Sequence, residues 1–300
     1  FVTNNSNKRR LDFVTELEKR GINFGAGKTE QEKLDMMISA SYTTACYLKE
    51  QNLRRPFVIT SDIGILEELR EAGVTEYFAT IDEKGDTAPE FESPMLQGVS
   101  PSVPEIIEAH PDVDCIVMGW DMGLTARKVG TAINYVKWHE ELNRRSEGFK
   151  PMPIIACSGD AGGVLGTADF KGSQMKIRAI GNGAMADIVA RSFDPPQVWL
   201  DMGKPSDALL GLLTSVYKID PRRTLMVGDT VQTDIVFGNR GGMKTLLVLT
   251  GVTTREELEQ EVLPGHDALR HPTFVLERLG EFYERGELGD PTGAVSGAQT

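Results

Sequence analysis

The chain has 300 residues, of which 40% are apolar and 25% charged, a balance that suits one large or two ordinary globular domains with a real core. Lys and Arg total 32 against 44 Asp and Glu, and the resulting net charge of −12 argues against non-specific nucleic-acid binding and against docking on anionic membranes. The sequence contains no apolar run long enough for a membrane span and no signal-peptide pattern.

Phe1-Val2-Thr3 reads as the end of a buried strand, so a fragment, a processed form or an incomplete gene model is expected. Asn4-Asn5-Ser6 then leads to a helix with Leu11, Val14 and Leu17 at helical spacing, closed by Gly21. Met36-Met37-Ile38 is a candidate strand, and a helix is expected from Tyr42 to Gln51. Phe57-Val58-Ile59-Thr60 is β-like, and the next helix runs from Ile63 to Glu71, before Gly73. Cys115 to Gly119 and Pro153 to Cys157 read as buried strands, with helix through Trp138 between them. The Gly-rich stretch 159–183 reads as irregular. Three short apolar strands follow, at Val198-Trp199-Leu200, at Thr224 to Val227 and at Thr245 to Leu249, each ending in a polar or Gly-containing turn. Strands alternating with helices specify an α/β fold with a largely parallel sheet. From 286 to 300 the composition predicts a disordered tail.

In open α/β sheets ligands bind beyond the carboxyl ends of strands, so these turns are where chemistry is expected. Gly228-Asp229 ends one strand, and Asp234 lies five residues on, in the first turns of the next helix. Two carboxylates converging there suit a hard cation such as Mg²⁺; the plainer alternative is a helix N-cap and a solvated acid. Lys204 follows its strand directly, with Pro205 as first helical residue, where it can neutralise a phosphoryl group or hold a carboxylate ionised; a surface lysine is the alternative. Thr3-Asn4-Asn5-Ser6, before a helix, offers a hydroxyl, two amides and helix N–H groups to a phosphate, or ordinary capping.

In this order, Thr3, Lys204 and Gly228-Asp229 with Asp234 resemble motifs two, three and four of the haloacid dehalogenase-like phosphatases. Phe1 to Lys8, Gly203-Lys204-Pro205-Ser206, Met226 to Asp234 and Thr250-Gly251-Val252 look like the branch of p-nitrophenyl-, phosphoglycolate and pyridoxal-phosphate phosphatases. The resemblance spans residues 1 to about 285. It implies a Rossmann-like parallel-sheet core, residues 1–55 and 198–285, with its first strand missing, and an inserted α/β cap, residues 56–197. It implies an Asp nucleophile that forms an aspartyl-phosphate, with Mg²⁺ as cofactor and a small soluble phosphate as substrate. By match, Asp229 is the metal ligand and Asp234 its neighbour at the metal. Thr3 holds the transferring phosphoryl group with Asn4 and Asn5 beside it, and Lys204 stabilises its charge.

Two departures matter. Asp-x-Asp-Gly, the motif that carries the nucleophile, occurs nowhere in the 300 residues. Asp112 and Asp114 have the spacing but precede a strand, and Asp62 ends a strand without an acid two residues on. The nucleophile is therefore expected upstream of Phe1, with residues 1–300 inactive alone. Second, Gly123-Leu124-Thr125 stands where the family's cap has aromatic residues, and Cys157-Ser158-Gly159-Asp160 keeps only the final acid of its turn. Asp121 and Asp160 are candidate substrate contacts in the cap, with turn residues as the alternative.

Other motifs carry less. Gly27-Lys28-Thr29 lacks the first glycine and preceding strand of a P-loop, Gly159 to Gly166 has the wrong spacing for a dinucleotide loop, and His110, His139, His266 and His271 form no ligand cluster. Cys46, Cys115 and Cys157 lie apart among apolar residues and read as buried thiols of a reducing, cytoplasmic protein. The expected function is a Mg²⁺-dependent phosphomonoesterase for a phosphate such as phosphoglycolate, pyridoxal phosphate or p-nitrophenyl phosphate, with a homodimer open. The alternative is a non-catalytic phosphate- or partner-binding pseudo-phosphatase.

Overall fold

The computed structural model describes residues 1–92, 99–145 and 148–281, so the tail at 286–300 lies outside the described residues. The chain divides into two compact units, 1–203 and 204–300.

The first unit opens with β1 (Val2–Thr3), α1 (Arg10–Lys19), α2 (Glu30–Leu34), β2 (Ile38–Ser39) and α3 (Ala40–Glu50). β1 and β2 pair in parallel, Val2 with Ile38 and Thr3 with Ser39. Then come β3 (Pro56–Ile59), α4 (Gly64–Ala72), β4 (Phe78–Ala79), α5 (Val99–Ala109), β5 (Cys115–Met118), α6 (Ala126–Asn143) and β6 (Ile154–Ala156). After β6 lie β7 (Gly162–Phe170), β8 (Ser173–Ile180), α7 (Asn182–Ala190) and β9 (Trp199–Asp201).

A five-stranded sheet runs β4-β3-β5-β6-β9, and every pairing in it is parallel. This is the doubly wound order in which the second strand lies outside the first and the rest follow on the other side, so the switch point falls between β3 and β5. Strands buried on both faces read as unbroken apolar runs. Phe57-Val58-Ile59 and Cys115-Ile116-Val117-Met118 do so, and all seven are fully buried. On one face Phe57, Ile59, Ile116, Met118 and Ile154 pack with Tyr135, Val136, Met185 and Val189 from α6 and α7. Trp199–Asp201 pairs with β6, so the strand that leads to Gly203 completes this sheet.

The stretch 159–183 departs from its expected irregularity. β7 and β8 form an antiparallel ribbon that turns at Lys171-Gly172, both at positive φ, with a bulge between Val164 and Gly166. Gly and Lys at the tip suit a two-residue turn with left-handed backbone. The alternation from Gln174 to Arg178 was the available signal, and the glycines around it masked it.

The second unit holds α8 (Asp207–Ser215), β10 (Leu225–Gly228), a π-helical turn at Val231–Ile235, α9 (Val236–Arg240), β11 (Lys244–Val248), α10 (Arg255–Glu257) and β12 (Phe274–Leu276). Its sheet runs β10-β11-β12, again parallel. Val231, Ile235, Leu247, Leu258, Val262 and Val275 form a core beside it. α8 begins at Asp207 and not at Pro205: the Ser206 hydroxyl caps it by accepting the Leu209 N–H, so Pro205 stands before the cap. No helix among the described residues is long and apolar enough to cross a membrane.

Candidate functional site

In the second unit the turn after β10 brings Lys204, Asp229 and Asp234 together. Asp234 is 3% exposed and Lys204 9%, and Lys204 Nζ lies 2.7 Å from Asp234 Oδ1. The other oxygen, Oδ2, accepts the backbone N–H groups of Asp229 at 3.0 Å and Thr230 at 3.1 Å. A buried carboxylate needs this much: one cation and enough donors to replace its water. Gly228 makes the arrangement sterically feasible, since a Cβ there would lie 2.2 Å from the Asp234 carboxyl carbon. Both Asp234 oxygens are thus engaged. The residue joins the turn to the lysine.

Asp229 is held from the other side. Its Oδ2 accepts the Val252 N–H at 2.8 Å, and its carbonyl accepts the Thr253 N–H at 2.9 Å. The Thr253 hydroxyl, itself fully buried, accepts the Val231 N–H at 3.1 Å and closes the turn. Gly251 leaves the room: a Cβ there would meet Asp229 Oδ2 at 1.9 Å. The remaining oxygen, Oδ1, accepts no hydrogen bond among the described residues. One oriented carboxylate oxygen at a strand end fits a hard cation as a single ligand. Among the described residues no three acids, histidines or cysteines gather into a whole metal site. Thr253 and Gly251 were not singled out as site residues from sequence; the Thr-Gly-Val turn after β11 was the only signal.

In the first unit, Thr3 ends β1 and the loop after it carries Asn4 and Asn5. Thr3 Oγ1 accepts the Asn5 N–H at 3.2 Å, and Asn5 Oδ1 accepts the Asn7 N–H at 2.8 Å, a side-chain-mimicked turn. Asn5 is exposed, whereas Ser6 is buried. The expected helix N-terminal cradle is partly spent. The helix starts at Arg10, and the Arg10 N–H donates to Glu68 at 2.6 Å. Glu68 is fully buried and also takes the Arg10 guanidinium at 3.0 Å; burial pushes its carboxyl up, and Arg10 opposes the shift.

The two candidate cap acids behave differently. Asp121, at the carboxyl end of β5, is 1% exposed; its Oδ2 takes Lys128 Nζ at 2.7 Å and its Oδ1 the Gly123 N–H at 2.8 Å. Its oxygens have partners within the fold. Nearby Asp62, at the end of β3, has its carboxyl raised by burial and then by the Asp121 charge. Asp160, after β6, accepts the Asn4 side-chain N–H₂ at 3.1 and 3.3 Å. A cleft of about 890 Å³ lies elsewhere in this unit, beside Pro153, Ile154, Pro195, Val198 and Leu200, and none of the strand-end acids lines it.

Two family models match the chain. A haloacid dehalogenase-like hydrolase model covers residues 1–75, and a HAD-hydrolase-like model covers residues 201–282. The glycerol-3-phosphate phosphatase of Rattus norvegicus is 28% identical over 265 residues, 86% of this chain and 70% of the relative. Chronophin of Homo sapiens is 28% identical over 292 residues, 95% and 80% of the two chains. A chloroplastic phosphoglycolate phosphatase 1A of Arabidopsis thaliana is 30% identical over 285 residues, 94% and 66%. Among solved structures, a p-nitrophenyl phosphatase from Archaeoglobus fulgidus superposes with a TM-score of 0.63 at 21% identity, covering 95% of this chain and 84% of that one.

Proposed function

Because the chain belongs to the haloacid dehalogenase-like hydrolases, we propose that it acts as a Mg²⁺-dependent phosphomonoester hydrolase on a small soluble phosphate. The observation that carries this reading is the turn after β10. There a buried lysine, a buried carboxylate and a second carboxylate with one open oxygen are locked together by backbone N–H groups. The relatives named for glycerol-3-phosphate and phosphoglycolate support a small phosphate monoester as the substrate class. The division into a core, residues 1–55 and 198–285, and a cap, residues 56–197, is part of the same reading.

Phosphoryl transfer asks the protein mainly for positioning and charge. Asp229 would hold Mg²⁺ through its open oxygen, and the ion would supply charge neutralisation for the phosphoryl oxygens. Asp234 fixes the Lys204 ammonium, which is then available to offset the negative charge that the transferring group carries. Thr3 ends β1 and Asn5 lies on the loop after it, where the hydroxyl, the exposed amide and the backbone can receive phosphoryl oxygens. The nucleophile is an aspartate outside residues 1–300, forming and then losing an aspartyl-phosphate, since no Asp-x-Asp-Gly stands within them. The free thiols Cys46, Cys115 and Cys157 favour a reducing compartment such as the cytoplasm.

The test is hydrolysis of 2-phosphoglycolate, glycerol 3-phosphate, pyridoxal phosphate and p-nitrophenyl phosphate by residues 1–300 joined to the coding sequence that precedes them. Turnover of at least one ester, abolished by EDTA and by Asp229→Ala, is expected. Inactivity on the whole panel with Mg²⁺ present sinks the proposal. It would favour the second reading, a phosphate-binding protein without catalysis, which the missing Asp-x-Asp-Gly supports. Sedimentation equilibrium decides whether the protein works as a homodimer.

A further inference from the structure

The loop after β1 is tied down at alternate residues. Asn4 donates its side-chain N–H₂ to the Asp160 carboxylate at 3.1 and 3.3 Å. Two residues on, the Ser6 hydroxyl accepts the Asn182 side-chain N–H₂ at 3.2 Å, and both Ser6 and Asn182 are 4% exposed. Between the two ties Asn5 stays exposed. The partners are not scattered. Asp160 stands two residues before β7 begins at Gly162, and Asn182 two residues after β8 ends at Ile180. They are the two legs of the antiparallel ribbon.

The legs are pressed together without side chains between them. The Gly181 N–H donates to the Ala161 carbonyl at 3.0 Å, and the Gly183 N–H to the Asp160 carbonyl at 3.0 Å. A Cβ on Gly181 would lie 2.1 Å from the Asp160 carbonyl oxygen, and one on Gly183 would lie 2.4 Å from that of Gly159. The ribbon's base is therefore a close backbone-to-backbone clamp. The ribbon beyond it is solvent-facing along β8, where Met175 and Ile177 are about half exposed, and Phe170 at the end of β7 is exposed as well.

We infer that Asp160 is a positioning residue, not a substrate contact: with Asn182 it latches the loop of Thr3, Asn4 and Asn5 to the base of the β7–β8 ribbon and so sets that loop's affinity for a phosphate group. The inference rests on the proposed role of the loop in phosphate binding. The latch acts through hydrogen-bond geometry: the Asp160 carboxylate holds Asn4 and the Asn182 amide holds Ser6, so that the intervening Asn5 and the Thr3–Asn5 turn keep one conformation.

Charge and latch predict opposite signs. An acid acting by its charge beside a phosphate weakens binding, so removing it would tighten binding. A latch loses grip when its acceptor goes. The experiment is calorimetric titration of residues 1–300 with inorganic phosphate in the presence of Mg²⁺, for the wild type, Asp160→Ala, Asp160→Asn and Asn182→Ala. Asp160→Ala should weaken binding about tenfold, the loss of one charge-assisted hydrogen bond. Asp160→Asn, which keeps a carbonyl acceptor for Asn4, should return affinity to within about twofold of the wild type, and Asn182→Ala should weaken it in the same direction as Asp160→Ala. The Asn4 side-chain amide resonance, identified by its loss in Asn4→Ala, should shift in Asp160→Ala and hold in Asp160→Asn. Should Asp160→Ala fail to fold, Asn182→Ala decides the matter: weaker binding supports the latch, and unchanged or tighter binding overturns it. Unchanged or tighter binding in both Asp160 variants overturns the latch. A flat titration already in the wild type overturns the phosphate reading of the loop and the latch with it, and is told apart by where it appears.

Discussion

Replacing Lys204 by Met tests whether the buried ion pair holds the turn after β10. The pair stands at 2.7 Å with side-chain exposures of 11% and 5%. At an effective dielectric constant of about 20 the attraction at that distance is about 6 kcal/mol before desolvation is counted. Removing one partner of a buried pair generally costs about 3–5 kcal/mol, because the other charge is left behind. Asp234 keeps two backbone donors, from Asp229 and Thr230, which places the expected cost near the lower end, about 3 kcal/mol. Asp234→Ala alone strands the lysine instead, and the double variant removes both charges, so the two single costs should sum to more than the cost of the double by about 2 kcal/mol. The three tryptophans, Trp120, Trp138 and Trp199, all lie in the first unit, so fluorescence would miss the event. Hydrogen exchange at the amides of Asp229 and Thr230, with urea unfolding followed by circular dichroism, reads it directly. A Lys204→Met protein that loses less than about 1 kcal/mol and keeps both amides protected would refute the reasoning.

Gly228→Ala should destabilise by about 3 kcal/mol, since its Cβ would stand 2.2 Å from the Asp234 carboxyl, whereas Gly211→Ala, with open space and a helical position, should stabilise by about 0.5–1 kcal/mol; equal effects in thermal melts would contradict the steric argument. Burial pushes the Cys157 thiol up to about 12 and raises Cys115 and Cys46 as well, so at pH 8 the native protein should release almost no thiolate to a disulfide reagent, and all three thiols should react in guanidinium; rapid reaction of a native thiol would be the contrary result. The Asp62 carboxyl is raised by burial and by Asp121, so its contribution favours the folded state below the ordinary aspartate range and is lost as pH rises through its raised value. Asp62→Asn should therefore stabilise the protein at pH 7 relative to wild type, with the gain fading toward pH 3; a gain that grows on acidification has the wrong sign.

Local chemistry made the strand-end turns legible. Gly228-Asp229 and Gly203-Lys204 announce themselves because apolar runs stop there and a polar group follows at once, and both lie at the ends of the observed β10 and β9. Which atoms those groups touch was not legible. Asp234 looks like a second metal-type acid by spacing, yet its oxygens go to Lys204, 30 residues away, and to two backbone N–H groups that only a tight turn brings near. Asp121 and Lys128 are seven residues apart and meet because α6 begins at Ala126, a boundary the sequence left vague. The Asn4–Asp160 contact spans 156 residues and has no local signature at all. The ribbon was overlooked because glycine content outweighed a short run of alternation from Gln174 to Arg178.

We propose that residues 1–300, which contain no Asp-x-Asp-Gly, lack the nucleophile of the phosphatase reaction. Release of p-nitrophenol from p-nitrophenyl phosphate, with Mg²⁺ and then with EDTA, should be measured in parallel on residues 1–300 alone and on the same residues preceded by their upstream coding sequence. The account predicts EDTA-sensitive turnover by the longer polypeptide and none by residues 1–300. Turnover by residues 1–300 alone, or its absence from both, would contradict it.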